Sequence, residues 1–92
     1  MPMANNSVWL IDGERVTHSL EEARDILNGA GGELVLDFSG VRRIDPTALR
    51  EMQNLAVAAG DHAVKVALRG VNVDVYKVLT LMNLVSRFTF LS

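Results

Sequence analysis

Cysteine is missing altogether from the 92 residues, and its absence excludes disulfides, thiolate zinc sites and cysteine nucleophiles. Histidine is nearly missing. His18 and His62 stand far apart with no ligand pattern beside either, so neither a metal nor any other cofactor is expected. Charge of one sign is not in excess: nine Lys and Arg against eleven Asp and Glu leave a net charge of −2. The chain therefore lacks the basic footprint that nucleic acid or an anionic membrane surface requires. No stretch nears the ~20 apolar residues of a membrane span, and the opening Met-Pro-Met-Ala-Asn-Asn-Ser has neither a basic n-region nor a long apolar h-region. These absences point to a cytoplasmic protein with protein partners, no nucleic acid and no direct membrane insertion; they leave its oligomeric state, monomer or weak dimer, open. What is present is a 49% hydrophobic composition, enough apolar surface for one core at this length. One domain over residues 1–92 is expected, with 1–6 as a disordered tail.

Along the chain, periodicity switches repeatedly between strand and helix. Val8 to Ile11 is a short apolar run closed by the turn dipeptide Asp12-Gly13. Glu14 to Thr17 either pairs with it or leads onward. Ser19-Leu20-Glu21-Glu22 matches a capping box and predicts a helix beginning there. Leu20, Ala23, Ile26 and Leu27 fall on its buried side, and the glycine-rich Asn28 to Gly32 ends it. Leu34 to Phe38 is apolar at both parities, as a central parallel strand covered on both faces would be.

From Asp45 the period becomes helical, with Leu49, Met52, Ala56 and Ala59 in register and Gly60-Asp61 as a stop. Val64, Val66 and Leu68 alternate with Lys65 and Ala67 in a third strand. Asn72 is placed to cap a last helix, with Asp74 in its first turn and Val75, Val78, Leu79 and Met82 inward. Phe88 to Leu91 closes the chain as a strand. Alternating strands and helices predict an α/β fold: a mostly parallel sheet of four to five strands with three helices and right-handed crossovers.

In such a sheet the useful crevice lies beyond the carboxyl ends of the strands, and Gly40 to Thr47 is the loop from one such end into a helix. Asp45 suits the cap, Pro46 the first helical position, and Thr47 then lies in the first turn. A hydroxyl there faces free backbone N–H groups and the positive end of the dipole, a place that tolerates a phosphate without unfolding the helix. The same Asp-Pro-Thr triplet is also an ordinary helix start.

These residues carry a resemblance. Leu34 to Leu49, L-V-L-D-F-S-G-V-R-R-I-D-P-T-A-L, resembles the signature of STAS domains, the anti-sigma factor antagonist fold, in which an apolar strand precedes an Asp-x-Ser/Thr-Gly motif opening a helix. Ala67 to Phe88 resembles the family's later strand, turn, helix and closing strand. The resemblance implies a partner-switching regulator: an anti-sigma factor kinase would phosphorylate Thr47, and the unphosphorylated form would sequester that kinase. Arg42, Arg43, Asp45, Pro46, Thr47 and Arg50 would then form the partner-binding surface. Leu68 to Leu84 is also similar to the STAS subunit of bacterial lipid-asymmetry ABC transport systems, which implies docking on an ABC ATPase subunit with no phosphate at Thr47. Two positions depart from the pattern. Ala48 replaces the usual glycine, its Cβ expected to hinder close approach of a kinase, and Pro46 removes a donor and stiffens the loop.

Catalysis is not expected. There is no glycine-rich phosphate loop, no second carboxylate at catalytic spacing and no nucleophile with an adjacent base. Arg42 and Arg43 read as solvated loop charges able to meet an acidic or phosphorylated partner. Arg50 is assigned to an exposed helix face. Trp9 and Tyr76 read as rim packing or anchors, and Met52 and Met82 as core filler.

Overall fold

The computed structural model describes residues 7–29 and 32–91. The expected tail, 1–6, and part of the glycine-rich stretch, Ala30 and Gly31, lie outside the described residues. Strands β1 (Ser7–Leu10), β2 (Glu33–Asp37), β3 (Lys65–Arg69) and β4 (Thr89–Leu91) alternate with helices α1 (Val16–Asp25), α2 (Pro46–Asp61) and α3 (Val73–Leu81). Short 3-10 turns at Leu27–Gly29 and Val85–Arg87 complete the order. Among the described residues the sheet has four strands in the order β1-β2-β3-β4, every neighbouring pair parallel.

A sequential parallel order with right-handed crossovers puts every connecting helix on one side of the sheet. The core bears this out. Trp9, Leu36, Leu68 and Phe90 form one cross-strand row, and Leu34 pairs with Val66 in another. All of them join one hydrophobic cluster with Leu20 and Ala23 of α1, Met52, Leu55 and Ala59 of α2, and Val75 and Leu79 of α3. Residues of the opposite parity, Val35 and Ala67 among them, are buried but lie outside that cluster. β2 is apolar at both parities, and the side away from the helices is also closed at its centre: Val35 is 6% exposed and Ala67 of β3 0%.

The capping box at Ser19 is not used. The Asp12 carboxylate accepts from the Glu14 N–H at 2.9 Å, and the Arg15 N–H donates to the Asp12 carbonyl at 3.0 Å. This turn launches α1 from Arg15 without a side-chain cap. Ser19 therefore lies one turn inside the helix, its N–H donating to the Arg15 carbonyl at 2.9 Å. Its hydroxyl, buried, instead accepts from the Asp12 N–H at 3.1 Å. Glu22 meets His18 across one turn at 3.3 Å on the exposed side. Glu14 to Thr17 accordingly enters the helix and pairs with no strand.

At the far end α3 stops at Leu81, and Asn83 takes a left-handed φ of 58°. The chain is redirected there, so Met82 is 43% exposed and is not core, while Met52 is fully buried. Val75 and Leu79 face inward as the spacing predicts, with Val78 half-buried.

Candidate docking surface at the carboxyl edge of the sheet

Since all four strands are parallel, their carboxyl ends share one edge, and the loops leaving β1, β2 and β3 meet there. The β2–α2 loop is held down by its own apolar residues first: Phe38 and Val41 are buried and Ile44 half-buried. Backbone bonds then tie it sideways. The Phe38 N–H donates to the Arg69 carbonyl at 2.7 Å, the Ile11 N–H to the Asp37 carbonyl at 3.0 Å, and the Val41 N–H to the Phe38 carbonyl at 2.9 Å.

Asn72 does two jobs with one amide. Its oxygen accepts from the Val75 N–H at 2.8 Å and caps α3. Its nitrogen donates to the carbonyls of Val41 at 3.1 Å and Arg42 at 3.2 Å, so the α3 cap is also the clamp on the β2–α2 loop. On the other flank the β1–α1 loop comes so close that a Cβ on Gly13 would collide with the Gly40 carbonyl oxygen. Glycine is needed there for approach, whereas Gly70 needs its freedom for conformation as well, with φ 74° and Ser39 packed beside it.

At the end of β2, Asp37 sits opposite Arg69 in the register of the parallel pair. Its carboxylate accepts from the Ser39 N–H at 2.9 Å and from the Arg69 guanidinium at 3.0 Å. Ser39, through its hydroxyl and its backbone N–H, and then Arg69, stabilise the charged form and hold the Asp37 pKa down at about 2.

Upon this base the expected site residues stand outward. Asp45 caps α2, its carboxylate accepting from the Ala48 N–H at 2.8 Å, with Pro46 at the first helical position. Arg42, Arg43, Asp45, Pro46, Thr47 and Arg50 are all exposed, and none of the three arginines makes an ion pair among the described residues. An open hollow of about 550 Å³ separates Arg43, Asp45 and Ala48 from the start of α1 at Arg15 to His18.

Two expectations change in detail. The first turn of α2 offers few free donors beside Thr47: Pro46 has none, the Ala48 N–H is taken by the Asp45 side chain, and the Leu49 N–H by the Asp45 carbonyl at 2.9 Å. Ala48, 1% exposed, belongs to the core under α2. Its Cβ points into the protein and does not obstruct an approaching partner. Not legible in the sequence are the close approach of Gly13, read there only as a turn residue, to Gly40, the Asp37–Arg69 pair and the second role of Asn72. Only the pair left a signal, a charged residue of each sign at the same end of two adjacent apolar strands.

A family model described as "Mlab, STAS domain" matches residues 11–89. The chain belongs to the STAS domain family, whose members are regulatory and interaction modules. Among solved structures, the solution structure of the protein TM1081 matches with a TM-score of 0.79 at 20% identity, covering 100% of this chain and 78% of that one. The STAS domain of a SulP transporter from Vibrio cholerae matches at 0.78 and 14% identity, covering 99% and 77%. The crystal structure of TM1081 from Thermotoga maritima, a candidate anti-sigma factor antagonist, matches at 0.66 and 24%, covering 96% and 74%. At these identities the likeness carries the fold and nothing finer. No curated protein matches the chain. Among the described residues no helix is long and apolar enough to cross a membrane, and no cluster of residues is arranged to hold a metal.

Proposed function

We propose that this STAS domain is a regulatory docking module that binds a partner protein through Gly40 to Arg50, with Thr47 at the centre of the contact. The observation that carries the reading is the arrangement of the first turn of α2. Thr47 is exposed at the second helical position, beside three unpaired arginines and above a loop clamped from both flanks. A surface fixed in this way loses little conformational freedom on binding, which favours recognition by preformed shape. Arg42, Arg43 and Arg50 would meet acidic groups of the partner.

The partner class best supported is the ATPase subunit of an ABC transporter of the lipid-asymmetry type. The matching family description favours it, and so does the scarcity of free N–H donors around Thr47. A phosphate on Thr47 would find few free backbone N–H groups and would lie near the Asp45 carboxylate, leaving the exposed arginines as the groups to meet it. Thr47 would then be a contact residue. The second reading, an anti-sigma factor kinase that phosphorylates Thr47, is supported by the likeness to a candidate anti-sigma factor antagonist and by the accessibility of the hydroxyl. Domain extent over 1–92 and a cytoplasmic setting accompany both readings.

The test is capture from native lysate with wild type, Thr47→Ala and Thr47→Glu as parallel baits. An ABC ATPase held by wild type and lost with Thr47→Glu is the expected result. An ATP-binding anti-sigma kinase held only by unphosphorylated wild type would establish the second reading. Equal capture by all three baits would refute a contact centred on Thr47.

A further inference from the structure

Two apolar side chains stand out into solvent toward the far end of α2. Val57 is 57% exposed and Met82, across from it, is 43% exposed, and an open groove of about 320 Å³ runs between them. The buried Ala56 and Leu84 form its floor, and Gln53, Asn83 and Arg87 complete the lining. The left-handed turn at Asn83, which carries Met82 out of the core, therefore also builds one wall of the groove.

The free charges beside this groove have one sign. Between Gly40 and Gly60 the acids are Asp45 and Glu51, and both are engaged inside the molecule, Asp45 by the Ala48 N–H and Glu51 by Arg24 of α1 at 3.5 Å. The next acid, Asp61, ends the helix. Arg50 and Arg87 are exposed and make no ion pair among the described residues. Thr47, Arg50, Asn54 and Val57 follow one another at helical spacing, so a single face of α2 runs from the docking loop to the groove. The geometry points to this groove as a second contact with the partner protein: it takes an acidic amphipathic helix of that partner, with apolar side chains between Val57 and Met82 and carboxylates against Arg50 and Arg87.

The inference rests on the docking reading above for the existence of a partner, and deepens it by naming the segment that docks. A standard interface takes about 20 to 30 residues a side, more than Gly40 to Arg50 can offer. Extension along α2 supplies the rest on a face that is already continuous. An amphipathic helix laid in an apolar groove is anchored at spacings of three and four residues, and the flexible Met82 can mould itself to such anchors. Acidic residues on that helix complement the two free arginines. A second copy of this chain cannot supply the segment, because its acidic helix, α1, exposes Glu21, Glu22 and Asp25 but keeps Leu20 and Ala23 in the core.

The probe is a blocked amphipathic peptide of Leu, Ala and Glu, roughly 18 residues long so that it is helical in water. It is titrated to millimolar concentration into the isotope-labelled chain, and amide shifts are followed by NMR. Shifts should gather at Gln53, Val57, Met82 and Arg87, and the same peptide with Lys for every Glu should leave them unmoved. Val57→Asp should weaken binding about tenfold or more, and Arg87→Glu about three- to tenfold. Circular dichroism checks that each variant keeps the fold. Absent shifts, equal binding of both peptides, or binding unchanged in both variants would overturn the proposal. So would shifts at these residues on dilution of the chain alone, which would mark a second copy as the occupant.

The groove and the Thr47 contact fail in different ways. Partner capture lost with Thr47→Glu but fully kept by Val57→Asp and Arg87→Glu would leave the docking reading intact and overturn the groove. Equal capture by wild type, Thr47→Ala and Thr47→Glu, together with peptide binding confined to the groove, would do the reverse.

Discussion

Asp37→Asn should reduce stability in a pH-dependent way whose size follows from the geometry at the end of β2. The carboxyl pKa is held at about 2 in the folded chain, below its ordinary value of 3.8. A difference of that size corresponds to about 2.4 kcal/mol at neutral pH, at about 1.36 kcal/mol per unit. The Arg69 side chain is 49% exposed, so solvent screens part of this, and about 1–2 kcal/mol is the expected figure. The sign follows from the depressed folded pKa: the contribution is complete above the unfolded pKa and disappears as pH falls through the folded one. The difference between wild type and variant should be flat above about pH 5 and shrink steeply between about pH 4 and 2. Urea unfolding of both proteins across that range, followed by circular dichroism, measures the difference directly and cancels the titration of the other carboxylates. A stability gap that does not change with pH would refute the charge-based account, leaving only lost hydrogen bonds. No gap at neutral pH would refute the role of the pair altogether.

Three further substitutions probe the platform and the contact. Asn72→Ala removes the α3 cap and the clamp on the Val41 and Arg42 carbonyls together. It should cost about 1.5–2 kcal/mol, lowering the thermal midpoint by roughly 6–16 °C for a domain of this size. Asn72→Asp keeps the cap but loses the donor, so wild-type stability in that variant would show that the clamp contributes nothing. Gly13→Ala drives a methyl into the Gly40 carbonyl and should destabilise by about 2 kcal/mol or more in chemical denaturation; a neutral result would mean that the two loops separate easily. Thr47→Glu should leave the thermal midpoint nearly unchanged, because attraction to the helix dipole is offset by the neighbouring Asp45 carboxylate and each amounts to about 1 kcal/mol or less. A large loss of stability there would mean that Thr47 packs, and its effect on partner capture could not be assigned to the interface.

Much of the fold was legible because its signals are local and periodic. The alternation of apolar runs and helical spacings located the four strands and three α-helices of the described residues, though not the two 3-10 turns, and the caps at Asp45 and Asn72 rest on side-chain chemistry that needs no tertiary partner. The α1 start was misread for a physical reason: Ser-x-x-Glu is a capping box only where the chain turns before it. Here the Asp12 turn starts the helix from Arg15, and Ser19 serves a long-range bond. Met82 was misplaced because a helical period cannot show where the helix stops, and the stop depends on Asn83 adopting a positive φ. The site shows the same division. Exposure of Thr47 and its neighbours follows from their position at a helix start, but the Gly13 approach and the Asn72 clamp join segments about thirty residues apart. No local pattern records such contacts.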